Sequence, residues 1–330
     1  MKKTVVIGSI NMDLVNKVHA HPLPGETILG LNLEYSPGGK GANQAVATAR
    51  AGSDVTMLGA VGNDEFSRRL LENLSRNHVN TSFVKTTDGP TSLAIITVDD
   101  RGENSIIVTP GANQTFSEHD LIQTFDEKAF EDVHSIILQN EIPLTTTLKA
   151  IEMANRKGIQ VIFNPAPISN IGLEHLEQVD VVILNETEAQ TLTGMDLVYD
   201  FNKENVQEAF RMLLRSGPKA VIITLGEHGS IYGTYQTVEG GQNEDPSFLL
   251  CQDGLTLIKE DAFKVKTVDT TAAGDTFVGA FSTMYETPSD AKEALRFATA
   301  ASALAVTKEG AQESTPYKDE ILKFLSEQQR

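Results

Sequence analysis

Short, unbroken apolar runs recur along this chain: TVVIGSI (residues 4–10), DVTMLGAVG (54–62), SIILQ (135–139), IQVIFNP (159–165), VDVVILN (179–185) and KAVIITLG (219–226). A run with no polar face has no side to offer water, so each reads as a strand covered above and below. Between them, DEFSRRLLENLSR, LKAIEMANRKG and residues 206–214 repeat their apolar positions with helical period. Alternating units of this kind predict an α/β fold: a doubly wound, mostly parallel sheet with helices on both faces. We read residues 1–330 as one domain. Two excursions, about residues 12–37 and 91–109, leave this rhythm. The first holds Pro22, Pro24 and Gly25 and then a strand-like stretch over 27–35; the second reads as a hairpin, SLAIITVDD and ENSIIVT, turning at Asp100, Arg101 and Gly102. The excursions are expected to pair into a small β-sheet lid. Two-stranded pieces are marginal alone, so the lid is expected to pack on a second subunit, giving a homodimer.

Ligands of open α/β sheets lie beyond the C-terminal strand ends, and polar residues collect there. Asn11 and Asp13 follow the first strand, Glu141 follows SIILQN, Asn164 follows VIF, Asn185 and Glu188 follow VVIL, and residues 224–229 follow VII. Asn11 and Asp13 suit the hydroxyls of a polyol, or form a polar turn. Asn185 and Glu188 suit hydrated magnesium or phosphate oxygens, or form a helix-capping box. The stretch VKTVDTTAAGDTFVGAF (265–281) turns a strand end at Val265, Thr267 and Val268 through small residues into a helix from Asp275. The first N–H groups of such a helix lack partners and carry partial positive charge, so a phosphoryl group can rest there without Lys or Arg. Asp275 would then orient an attacking hydroxyl and accept its proton. The alternative is that Thr271 caps the helix and Asp275 only favours its positive end.

SPGGKGANQAVATARAG (36–52) is a glycine-rich loop running into a helix, without the spacing of a P-loop or of the dinucleotide fingerprint. There Lys40 can be solvated and Asn43 can start the helix. The last third reads as helices over 275–285, 291–307 and 317–326; the final carbonyls of the second, expected to be unpaired, could hold a cation against Asp269. Acidic residues outnumber basic ones 45 to 27, a net charge of −18, which argues against nucleic acid and anionic membrane as partners. An anionic nucleotide must then be drawn in by local fields, from magnesium and helix ends. The one cysteine, Cys251, forms no internal disulfide, and no signal-like or 18-residue apolar run occurs, so a cytoplasmic location is expected.

GSINMD (8–13), PGGKGANQA (37–45), NPAP (164–167), LNETEA (184–189), ITLGEHG (223–229) and VDTTAAGDTF (268–277) stand in the order found in the ribokinase-like (PfkB) sugar kinases, which the chain resembles over nearly its whole length. The resemblance implies transfer of the ATP γ-phosphoryl group to the 5-hydroxyl of D-ribose. It makes Asp275 the base, with Gly274 and neighbouring amides as the anion hole. Asn11, Asp13, Gly39, Lys40, Gly41, Ala42, Asn43 and Glu141 become sugar ligands. Asn185, Thr224, Leu225, Gly226, Glu227, His228, Gly229, Gly274 and Asp275 become ATP contacts, with Asn185 and Glu188 supporting Mg2+. Asp269, Thr271, Ala305, Lys308, Gly310 and Ser314 become a site for an activating K+ ion. Two departures stand out: residues 234–266 form a longer connection than the family leads us to expect, and Thr299 stands where a histidine often faces adenine. Phosphorylation of another sugar or nucleoside, such as deoxyribose or fructose, is the alternative within the family. A non-catalytic sugar sensor is the alternative outside it.

Overall fold

The computed structural model describes residues 2–126, 129–197, 200, 203–238 and 245–328. Its strands are β1 (Lys3–Ile7), β2 (Asn11–Lys17), β3 (Asn32–Gly38), β4 (Asp54–Val61), β5 (Val79–Thr86), β6 (Ser92–Val98), β7 (Asn104–Thr109), β8 (Ser135–Leu138), β9 (Gln160–Phe163), β10 (Val181–Asn185), β11 (Ala220–Thr224), β12 (Ser230–Thr234), β13 (Phe248–Leu250) and β14 (Thr256–Glu260). Its helices are α1 (Lys40–Arg50), α2 (Glu65–Arg76), α3 (Glu118–Asp126), α4 (Leu144–Lys157), α5 (Glu186–Thr193), α6 (Glu204–Arg215), α7 (Ala273–Met284), α8 (Ala291–Ala305) and α9 (Lys318–Gln328). The central ten-stranded sheet runs β13-β14-β12-β11-β10-β9-β8-β1-β4-β5. From β11 to β5 it is parallel, and β12, β14 and β13 complete it antiparallel.

The apolar runs are buried on both faces, as their lack of a polar side requires. In β1, Val5 and Ile7 join a core layer with residues of α3, α4, α5 and α6, while Val6 joins the opposite layer with residues of α1, α2, α7, α8 and α9. The alanine-rich α8 buries Ala294, Ala298 and Ala301 in that second layer, whose members also include Val278 and Phe281 of α7. The excursions supply a separate sheet, β3-β2-β6-β7, in which β2 and β6 pair in parallel and the flanking strands antiparallel.

Three local expectations change. The run over 4–10 is not one strand: β1 stops at Ile7, and the chain turns at Gly8 and Ser9 to enter the second sheet at Asn11. Residues 265–268 are not a strand. β14 ends at Glu260, Val268 is half exposed, and the N–H groups of Val268 and Asp269 donate instead to the Val306 carbonyl at 2.7 and 3.3 Å. This segment must leave the sheet to reach the end of α8, and no strand neighbours it there. Finally, β5 carries too few apolar residues to stand out in the sequence; it exists because β4 offers it an edge. The loop expected over 239–247 lies partly outside the described residues, at 239–244.

Candidate active site

Chain order along the sheet reverses between β1 and β8, and the crevice beyond their C-terminal ends is where a fold of this kind receives ligands. Gly8 and Ser9 leave β1 there, and Glu141 follows β8. The glycine-rich loop crosses over them. A Cβ at Gly38 would lie 2.1 Å from Asp13 Oδ2, so only glycine admits that carboxylate. At the foot of the loop Glu141 Oε2 accepts from Ser9 Oγ at 2.5 Å and from the Lys40 N–H at 3.1 Å, which ties β1, the loop and β8 together.

Asn11 is buried, and its Oδ1 accepts from Asn113 Nδ2 at 2.7 Å. Its own amide N–H groups therefore remain to donate to a ligand. Asp13 receives no side-chain hydrogen bond among the described residues. Burial, followed by the negative charges of Glu141, Asp275 and Glu313, pushes its carboxyl up to about 7. A carboxylate desolvated and left without donors is poised for the hydroxyl groups of a polyol. The Lys40 ammonium faces the other carboxylates of the site: Asp275 above all, with Glu141 and Glu188, raises its pKa against the opposing effect of burial.

Asp275 lies in the first turn of α7, and both its oxygens are held. Asn43 Nδ2 donates to Oδ2 at 3.0 Å and Gln44 Nε2 to Oδ1 at 2.9 Å. Those donors ride on α1, which α7 approaches closely because Gly279 has no side chain; a Cβ there would sit 2.6 Å from Ala47 Cβ and 2.7 Å from the Thr48 nitrogen. The cap of α7 is Ala272, in the left-handed region at φ 55°, with no side-chain cap hydrogen bond. Thr271 therefore does not cap the helix; its N–H and hydroxyl bind Asp269 instead. The N–H groups of Gly274 and Asp275 meet no acceptor among the described residues. They open on a cavity of about 260 Å³ lined by Lys40, Asn185, Glu188, Thr224, Gly274 and Asp275 among others. Free N–H groups at a helix start beside a carboxylate suit a phosphoryl group and the hydroxyl that attacks it.

Asn185 and Glu188 form the capping box of α5: Asn185 Oδ1 accepts from the Glu188 N–H at 2.8 Å, and Glu188 Oε2 from the Asn185 N–H at 2.9 Å. The box engages one oxygen of Glu188 and leaves the other to the cavity, so cap and ligand roles coexist. Burial raises the Glu188 carboxyl, while the Asn185 N–H and Lys40 act the other way. Among the described residues no group of three or more His, Cys, Asp or Glu could hold a metal directly. Glu188 and Asp275, the carboxylates among the residues lining this cavity, are too few to cage a metal and fit magnesium that keeps its waters and binds through a nucleotide's phosphates.

The residues beyond β11 divide. Thr224 lines the cavity, Leu225 packs its side chain into the core, and Gly226 to Gly229 turn toward the antiparallel edge, with Glu227 exposed. Of the cation candidates, Asp269, Thr271 and Gly310 are directly tied together. Asp269 Oδ1 accepts from Thr271, and its Oδ2 accepts from the Gly310 N–H at 2.9 Å. Burial pushes this carboxyl up, but those donors outweigh it and hold the carboxyl below the usual range. The final carbonyls of α8 are not unpaired as expected: Ala305 accepts from the Lys308 N–H at 3.1 Å and Val306 from Val268 and Asp269. Each retains a second lone pair. The Lys308 side chain points away to Glu320, and the Ser314 hydroxyl donates to the Ala311 carbonyl. Thr299 is buried, and its hydroxyl meets no partner among the described residues. Sequence reasoning missed Asn113, Gln139, Gln44 and Gln312. Gln44 sits beside Asn43 in GANQA, but nothing in the sequence shows where its amide points.

The pattern described as pfkB family carbohydrate kinase matches residues 1–318. Ribokinase of Staphylococcus aureus is 35% identical over 325 residues, covering 97% of this chain and 98% of its own. Deoxyribokinase of Salmonella typhi is 34% identical over 327 residues, covering 97% and 98%. The structure of Arabidopsis thaliana ribokinase complexed with ribose and ATP superposes with a TM-score of 0.82 at 29% identity, covering 98% of both chains.

Proposed function

This chain belongs to the pfkB family of carbohydrate kinases, and on that premise we propose that it transfers the γ-phosphoryl group of ATP to the 5-hydroxyl of D-ribose, with Asp275 as general base. The observation that carries the reading is Asp275 itself, fixed through both oxygens beside unpartnered N–H groups at the start of α7. The sugar's hydroxyl groups donate to Asp13 and Glu141 and accept from Asn11 and Asn43, which turns the 5-hydroxyl toward Asp275. As the new O–P bond forms and the bond to ADP breaks, the hydroxyl proton passes to the Asp275 carboxylate, late along a loose transition state. The N–H groups of Gly274 and Asp275 stabilise the charge on the phosphoryl oxygens. Lys40 offsets the negative charge of Asp275, Glu141 and Glu188. Asn11 favours ribose over 2-deoxyribose, because its amide would find no partner at a missing 2-hydroxyl.

Asn185 and Glu188 would hold hydrated magnesium on the nucleotide's phosphates, where it supplies charge neutralisation. Asp269, tied to the Gly310 N–H and through its own N–H to the Val306 carbonyl, would hold a potassium ion that stiffens the turn into Ala272. The four-stranded sheet acts as a lid over the sugar. Its exposed Leu33, Tyr35, Ile95 and Ile107 are the surface expected to pack on a second copy of the chain.

ADP release from ATP and magnesium, measured with D-ribose, 2-deoxyribose, fructose and adenosine in potassium and in sodium, tests the whole reading. Selective, potassium-stimulated turnover of ribose is expected. Preference for 2-deoxyribose would move the error to Asn11, and no turnover with any acceptor would remove the kinase reading. Sedimentation showing a monomer at micromolar concentration would remove the shared lid.

A further inference from the structure

Behind the carboxylate of Asp275 lies a second tier of buried amides whose order is directional. Gln44 and Gln139 are fully buried, and Gln312 nearly so. Gln139 Nε2 donates to Gln44 Oε1 at 2.7 Å, and Gln44 Nε2 donates to Asp275 Oδ1 at 2.9 Å and to Asn164 Oδ1 at 3.0 Å. On the other oxygen, Asn73 Nδ2 donates to Gln312 Oε1 at 2.6 Å, Gln312 Nε2 to Asn43 Oδ1 at 3.0 Å, and Asn43 Nδ2 to Asp275 Oδ2 at 3.0 Å. Each chain hands a donor end toward the carboxylate.

An amide has a donor end and an acceptor end, and the wrong end against a carboxylate repels it. Gln139 pins the oxygen of Gln44 on the far side and thereby compels its NH2 to face Asp275. Gln139 Oε1, although buried, meets no hydrogen-bond partner among the described residues. A fully buried glutamine whose amide is engaged only through its NH2 is uncommon in a core, where most buried polar groups are paired. Asn43 stands among the sugar contacts proposed above, but Gln44 meets Asp275 from within the protein, Gln139 stands behind Gln44, and neither lines the cavity.

We propose that Gln44 is a positioning residue for the phosphoryl-transfer step, and that Gln139 acts through it by fixing which end of the Gln44 amide meets Asp275. The inference rests on the reading of Asp275 as general base. Holding one lone pair on each oxygen leaves the remaining pairs in a fixed plane aimed at the sugar's hydroxyl, and a base displaced by a rotation of its carboxylate loses rate steeply.

The test is a cycle of Gln44→Leu, Gln139→Leu and the double variant, with kcat and the KM values for sugar and ATP measured on each. Gln44→Leu should lower kcat by roughly 10-fold or more while both KM values stay within about 3-fold, since only the geometry of the base changes. Gln139→Leu should lower kcat in the same way but less. The double variant should match Gln44→Leu alone, because Gln139 has no other route to Asp275. An unchanged kcat in Gln44→Leu, a loss confined to KM, or a double variant whose loss is the product of the single losses overturns the proposal. If a leucine variant does not fold, as judged by nucleotide binding, the Gln44→Met and Gln139→Met pair is read by the same criteria. Asp275→Asn separates the two readings: if it keeps turnover, the base assignment fails, whereas if it is dead while Gln44→Leu is normal, only the positioning role fails.

Discussion

Replacing Asp13 by Asn should stabilise the sugar-free protein near pH 8 and weaken sugar binding at the same time. The folded carboxyl is pushed up to about 7 from a usual 3.8 by burial and by the charges of Glu141, Asp275 and Glu313. Between those values the folded state holds a proton that the unfolded chain releases, so stability falls as pH rises from about 4 to about 7 and the full penalty stands above that. At 1.36 kcal/mol per pH unit the gap corresponds to about 4 kcal/mol, and the partial exposure of Asp13 to solvent reduces it to about 2. Asparagine removes this penalty. Roughly a third of it is already present near pH 5, so the gain in thermal midpoint should be about 4 °C near pH 8 and only about 1 °C near pH 5. Differential scanning fluorimetry of both proteins at the two pH values, without sugar, measures it. The same variant should raise KM for the sugar by roughly 10-fold or more, since hydrogen bonds to a charged acceptor are lost. An equal gain at both pH values, or a loss near pH 8, would show that Asp13 is not a strained carboxylate and would refute the argument.

Gly274→Ala should leave folding intact, because a Cβ there meets no atom within 4 Å. It should nevertheless cut kcat by about 10-fold or more by filling the anion space, and a variant as active as the parent would place the phosphoryl group elsewhere. Gly279→Val should lower the thermal midpoint and kcat together, since its side chain would collide with Ala47 and Thr48 and push α7 from α1; about 1–3 kcal/mol is the usual cost of such overpacking. Asp269→Ala should abolish the response of turnover to potassium, read as the ratio of rates in potassium and sodium, and a normal ratio would move the cation site. Gln312→Leu should raise KM for the sugar, because Asn43 loses the donor that fixes its amide.

The architecture was legible because its signals are local. An apolar run without a polar face can only be an interior strand, and its alternation with helical periods permits little besides a parallel sheet covered twice. The small-residue turn into α7 and the glycine-rich loop could also be read, since backbone approach requires the absence of side chains whatever the fold around them. Where local signal was weak the reading failed, as at β5, whose mixed residues depend on an edge supplied by β4, and at residues 265–268, whose β-branched run is overruled by the need to reach α8. Glu188 shows a third case, in which the sequence offered cap or ligand as rivals and the geometry lets one carboxylate serve as a cap while facing the cavity. Tertiary structure alone decided the amide chains behind Asp275. Gln44, Gln139 and Gln312 lie far apart in sequence from most of their partners, and the direction of a buried amide is set by what stands at both of its ends, which a one-dimensional pattern does not contain.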